Sequence, residues 1–227
     1  MKRIAAVSIY AIAMGYLEAA VVVYLREVAF RNPAQVFPLR YLEPQFGLLE
    51  IGREVGTIVM LLSIGYLAGK SRFQRWMFFI YSFALWDVFY YVFLRILTGW
   101  PNSFFSFDVL FLIPVIWISP VLSPILISLL LGSSSTVMII LTEKYENIRI
   151  KFINLGIFAL GALAAFYSFT EQIFHILFTV GPKGIENFTP KSFDWLSFSI
   201  GYLLMCVSVV KTIKDSYHKM KSEQVIR

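Results

Sequence analysis

The sequence predicts an all-α fold, a polytopic transmembrane bundle of about six helices, on three observations. Hydrophobic residues make up 58% of the 227-residue chain and charged residues only 15%, with a mean hydropathy of +0.72. A soluble domain carries about a quarter of its residues charged, and a chain this poor in charge would expose large apolar patches to water. The apolar residues also fall into six runs long enough to cross a hydrocarbon core, which takes about 20 residues at the helical rise. These runs are continuously apolar, whereas the strand of a membrane barrel alternates apolar with polar positions.

The spans read as 4–25, 48–69, 76–97, 120–141, 152–172 and 194–210, forming one domain over 1–213 with a basic tail at 214–227. The first follows Met1-Lys2-Arg3 like a signal peptide, but it is too long for a signal core. It also lacks a small-residue cleavage site before Arg26, so it reads as a retained helix. With the N-terminus inside, thirteen of the twenty Lys and Arg fall in inner segments: Lys2, Arg3, Lys70, Arg72, Arg75, Lys144, Arg149, Lys151, Lys211, Lys214, Lys219, Lys221 and Arg227. That excess predicts both termini in the cytoplasm.

The outer connections 26–47 and 173–193 hold several prolines and aromatics and read as ordered, non-helical caps. Between the third and fourth spans, 98–103 is a turn. Residues 108–119 are too apolar for a loop and too few to cross. They fit either a half-helix re-entering the outer leaflet, set off by Pro114 and Pro120, or the start of one long, kinked fourth helix.

Ionisable groups inside the bilayer are costly unless paired or hydrated, so they carry most of the functional information. Glu18 lies in the outer half of the first helix, with Gly15 on the same face. Glu50, Arg53, Glu54 and Thr57 form a stripe at the outer end of the second. On the third, Asp87, Tyr90, Tyr91 and Arg95 share a face, with Asp87 deepest. On the fifth, Gly161, Ala165, Ser168, Glu171 and His175 run from small residues to ionisable ones, and Asp108 would cap the half-helix. The candidate binding residues are therefore Glu18, Arg53, Glu54, Asp87, Tyr91, Arg95, Glu171 and His175, converging on the outer half. Six acids in that zone face three arginines, and an excess of buried negative charge calls for protonated carboxyls or a bound cation. A blander account makes Glu50, Arg53 and Asp108 solvated or capping groups at the interface. Ser133–Thr136 reads as a packing feature whose hydroxyls bond back to the helix.

Several chemistries are excluded. Cys206 is the single cysteine, so there is neither an intramolecular disulfide nor a cysteine metal site. The chain has no phosphate-binding glycine loop, dinucleotide fingerprint, zinc-protease helix or nucleophile elbow. His175 and His218 are the only histidines, and the second is in the tail, which rules out bis-histidine haem inside the membrane. No basic surface suited to nucleic acid is present.

The runs Gly-Tyr-Leu-Glu-Ala-Ala at 15–20, Gly-Arg-Glu-Val at 52–55, Trp-Asp-Val-Phe-Tyr-Tyr at 86–91 and Phe-Leu-Ile-Pro at 111–114 resemble those of small bacterial multi-pass inner-membrane proteins. The resemblance implies a bacterial inner membrane and transfers no functional residue.

Three functions fit this reading. The outer carboxylates bind or translocate a small cation or protons. Alternatively, they supply acid–base groups or hold a divalent metal in an enzyme acting on a lipid or lipid-linked substrate, with Arg53 and Arg95 on phosphate. Or the polar stripes pair with a partner, in a homo-oligomer or as an accessory subunit of a membrane complex. The sequence names no cofactor. The one partner it requires is the lipid bilayer.

Overall fold

A computed structural model describes residues 2–40, 44–144 and 150–225. Of the basic residues counted for orientation, Arg149 and Arg227 lie outside the described residues, as do the side chains of Lys144, Lys219 and Lys221. Six long helices dominate: α1 (Lys2–Phe30), α2 (Pro44–Ala68), α3 (Arg72–Thr98), α4 (Leu122–Lys144), α5 (Phe152–Thr179) and α6 (Trp195–Val225). All six are long and apolar enough to cross a membrane, so the chain is an all-α, multi-pass membrane bundle.

At one end of the bundle, Arg3 of α1 ties four helices together. Its guanidinium donates to the Ala68 carbonyl at 2.7 Å, to Gln74 at 3.1 Å and to Glu143 at 3.0 Å. Lys151 and Asn154 at the start of α5 hold Asp215 of α6 at 2.8 and 3.1 Å. This is the terminal end. The opposite, connector end carries residues 31–40, 99–121 and 180–194. Two of these connections pair through their backbones, Leu39 N to Phe188 O and Asn187 N to Leu39 O, both at 2.9 Å. The pairing satisfies polar groups that a non-helical segment near lipid could not leave free.

Helix α3 is the central element, packed on α1, α2 and α4, while α5 and α6 pack chiefly on each other. Its limits follow from local chemistry. Ser71 caps the N-terminus by accepting from Gln74 N at 3.1 Å. Gly99 ends it in the left-handed region, φ 76°, and its N–H returns to the Arg95 carbonyl. Glycines allow the closest crossings. A Cβ on Gly15 of α1 would lie 2.9 Å from the Trp86 carbonyl of α3, and one on Gly161 of α5 would lie 2.5 Å from the Gly201 carbonyl of α6. Without a hydrophobic drive between helices in lipid, such backbone approach is a main source of association.

Three expectations require correction. Residues 108–119 form neither a half-helix nor the start of α4. They belong to a β-hairpin in which β1 (Phe107–Val109) pairs antiparallel with β2 (Ile118–Pro120). Pro114 and Pro120 lack the N–H groups that a helix needs. The strand ladder, with Leu110 N to Trp117 O at 2.9 Å and Trp117 N to Phe111 O at 2.8 Å, satisfies the remaining backbone instead. Consequently Asp108 is a strand residue and caps no helix, and α4 begins after Pro120. Both outer caps are also shorter than expected, because α1 runs on to Phe30 and α5 to Thr179. Hydropathy falls at the first ionisable residues, whereas the helical backbone continues through them. The last helix likewise extends through the basic tail as far as Val225.

Candidate ligand-binding cavity

A cavity of about 880 Å³ occupies the connector-end half of the bundle. The later halves of α1 and α3 and the first turns of α2 and α4 form its sides. The hairpin, Val36, Leu39 and Arg40 of the first connection, Phe169 of α5 and the 182–186 turn complete the lining. Small-molecule sites typically enclose about 300–1,000 Å³. Asp87 lines it near the middle of α3, eleven residues before the helix ends at Thr98, or about 16 Å at the helical rise. Beyond it, towards the terminal end, Val7, Met77, Phe78, Tyr81, Met138 and Ile139 pack into an apolar cluster. The cavity is therefore one-sided.

Its polar lining is organised in layers. Arg53 of α2 forms ion pairs with Glu18 of α1 and with Glu50 one turn back, the latter at 2.9 Å. Glu18 also accepts from Thr57 Oγ1 at 2.9 Å. The helical spacing of 50, 53, 54 and 57 puts all four on the side of α2 that meets α1 and the cavity. Glu54 accepts the Leu112 N–H on both oxygens, at 3.0 and 3.1 Å, so a helix carboxylate anchors the hairpin backbone. Asp87 accepts from Ser128 Oγ of α4 at 2.9 Å. Arg26 of α1 pairs with Asp108 of β1 at 3.0 Å, side chains 6% and 1% exposed, and its guanidinium lies 4.1 Å from the Trp100 ring centroid. Burial pushes the Asp108 carboxyl above the usual range, opposed first by the Arg26 charge and further by the Tyr90 and Tyr91 hydroxyls.

Charge is not balanced. Six carboxyl side chains line the cavity (Glu18, Glu50, Glu54, Asp87, Asp108, Glu186) against four cations (Arg26, Arg40, Arg53, Lys183). Glu18 and Glu50 share Arg53, and Asp108 holds Arg26. Among the described residues neither Glu54 nor Asp87 has a cationic partner within ion-pair distance. Hydrogen-bonding capacity is incomplete as well. Arg26 Nη1, Trp86 Nε1 and Trp117 Nε1 are buried with no hydrogen bond among the described residues, and all three side chains belong to the lining. A buried donor or acceptor left without a partner costs roughly 1–3 kcal/mol. Among the described residues no three His, Cys, Asp or Glu side chains converge as metal ligands.

Of the residues singled out from sequence, Glu18, Arg53, Glu54, Asp87 and Tyr91 line the cavity together, and Arg95, Glu171 and His175 do not. Arg95 turns back on the end of its own helix, donating to the Gly99 and Pro101 carbonyls and to Asn102. Cations settle at helix C-termini because the unpaired carbonyls there carry partial negative charge. On α5 the small residues Gly161 and Ala165 face α6, and Phe169 is the α5 residue that reaches the cavity. Glu171 is half-buried outside the lining and His175 is exposed. Ser133, Ser134, Ser135 and Thr136 all donate to carbonyls of α4 itself, in keeping with a packing role.

Sequence reasoning missed Ser128 and the aromatic wall of Phe83, Phe111, Trp117 and Phe169. A hydroxyl six residues into α4, at the level of Asp87, was the available signal for the first. The wall offers none, since aromatic residues are common throughout the chain.

A scan of protein-family models, a search of curated proteins and a search of solved structures each return no match to this chain. Fold and cavity therefore define it as a six-helix, multi-pass membrane protein with an acidic, one-sided pocket.

Proposed function

We propose that the protein binds a cationic solute in this cavity. One observation carries the reading: Asp87 and Glu54, 9% and 6% exposed, line the cavity with no cation within ion-pair distance among the described residues, while the other deep carboxylates have one. A carboxylate kept in that setting gains most from a ligand that brings the missing charge. Translocation would need a polar path through the terminal half, which the Phe78–Ile139 cluster fills, so binding is the better-supported activity. The enzyme reading put Arg53 and Arg95 on a lipid phosphate, and both are already engaged, Arg53 by Glu18 and Glu50 and Arg95 by the turn beyond its own helix. The excess of Lys and Arg at the terminal end supports the reading that both termini are cytoplasmic and the cavity exoplasmic. The resemblance noted above adds a bacterial inner membrane.

The test is equilibrium dialysis of radiolabelled tetramethylammonium against protein in lipid nanodiscs, with empty discs as the blank. Wild type should bind saturably. Asp87→Asn and Glu54→Gln, each verified as folded by thermal unfolding, should weaken binding at least tenfold. Unchanged affinity in both variants would overturn the proposal.

A further inference from the structure

We infer that the ligand is an amphiphilic organic cation, one charged nitrogen joined to an apolar body of several carbons. This rests on the reading of the cavity as a cation site and adds the ligand's chemical class. A metal ion or a proton has no use for about 880 Å³, some thirtyfold the volume of one liquid water molecule.

The wall supplies the second argument. An unbroken aromatic surface runs from α3 through the hairpin to α5. Phe111 lies 6.4 Å from Phe83 and from Trp86 and 5.3 Å from Trp117, and Trp117 lies 6.2 Å from Phe169, centroid to centroid. All five rings line the cavity. The unpaired carboxylates are separate points on this surface, Asp87 on α3 and Glu54 on α2. Such a site holds one positive charge at a carboxylate, or over an indole face, and desolvates an apolar remainder against the rings.

The side wall provides the third. Helix α2 makes no packing contact with α4, α5 or α6 among the described residues. On that side the hairpin is bonded to α2 through Leu112 and Glu54, and its tip exposes Ile113 and Pro114. A molecule with an apolar body concentrates in the bilayer next to that wall.

The experiment extends the nanodisc dialysis to tetramethyl-, propyltrimethyl- and hexyltrimethylammonium, each beside its uncharged tert-butyl isostere. Affinity should rise severalfold, up to about fourfold, per added methylene. Phe83→Ala and Trp117→Leu should flatten that slope. Asp87→Asn should lower the whole cationic series by a similar factor and leave the slope intact. Equal affinity across the cationic series overturns the amphiphile and leaves the cation site standing. Equal binding of the uncharged isosteres overturns the cation site itself. Absence of binding by every member overturns both.

Discussion

Replacing Arg26 by Met should destabilise the protein by about 3–5 kcal/mol near neutral pH, the usual consequence of removing one partner from a buried ion pair. The geometry supports that size. The pair is 3.0 Å apart with side chains 6% and 1% exposed, so neither charge has water to fall back on. At an effective dielectric of about 20, charges about 4 Å apart attract by about 4 kcal/mol. Met fills most of the volume, which confines the loss largely to charge and to the stacking on Trp100. The effect should depend on pH in a defined sense. Burial already raises the Asp108 pKa in the folded state, and Arg26 is the chief opposing influence, so the variant raises it further. A group with a raised folded pKa stabilises most below its unfolded value and loses that stability as pH rises through the folded value. Arg26→Met should therefore approach wild type at acidic pH and fall away towards alkaline pH. Thermal unfolding in detergent at several pH values measures this, with Arg26→Met/Asp108→Leu as the control that removes the orphaned charge. A loss below 1 kcal/mol at neutral pH, or one that deepens in acid, would refute the reasoning.

Other substitutions test separate parts of the structure. Thr57→Val removes the hydroxyl donated to Glu18 and should cost about 1–3 kcal/mol by thermal or denaturant unfolding. Gly15→Val forces a Cβ to within 2.9 Å of the Trp86 carbonyl and should cost about 1–3 kcal/mol, while also weakening tetramethylammonium binding because Glu18 and Asp87 flank that crossing. Asp194, whose carboxylate accepts from Ser197 N at 3.0 Å at the start of α6, sits below its usual pKa because of the Ser197 hydroxyl first and that backbone N–H second. Asp194→Ala should cost about 1 kcal/mol near neutral pH. The difference from wild type should vanish in acid, as the wild-type carboxyl protonates.

Much of the fold was legible because it follows from solvent. Runs such as 76–97 can be stable only as lipid-spanning helices, and six of them imply a bundle whatever the details. The hairpin was not legible. Its residues look the same to a hydropathy reading whether they re-enter, extend α4 or pair as strands, and what selects pairing is backbone satisfaction across residues 107–120. The lining of the cavity was legible in part. Glu18, Arg53, Glu54, Asp87 and Tyr91 could be placed because helical spacing puts them on inward faces at one depth. Arg95 could not, since its fate depends on the carbonyls of the turn beyond its own helix. Nor could Glu171 and His175, because the rotation of α5 is set by the Gly161–Gly201 crossing, and that needs α6 in place.

That crossing bears on how the protein is made. The α5–α6 pair meets the rest of the chain through α4, the hairpin and the short backbone pairing at Leu39, and it forms most of its own packing internally. During membrane insertion the first four helices are complete before this pair emerges, leaving a half-built chamber with Asp87 in place and Phe169 absent. The two halves then associate along a seam that runs through the cavity. A ligand bridging that seam favours the joined form by mass action, RT ln(1 + [L]/Kd). If the proposed cation binds across that seam, its occupancy stabilises the joined form, and cellular levels of the protein should track its supply.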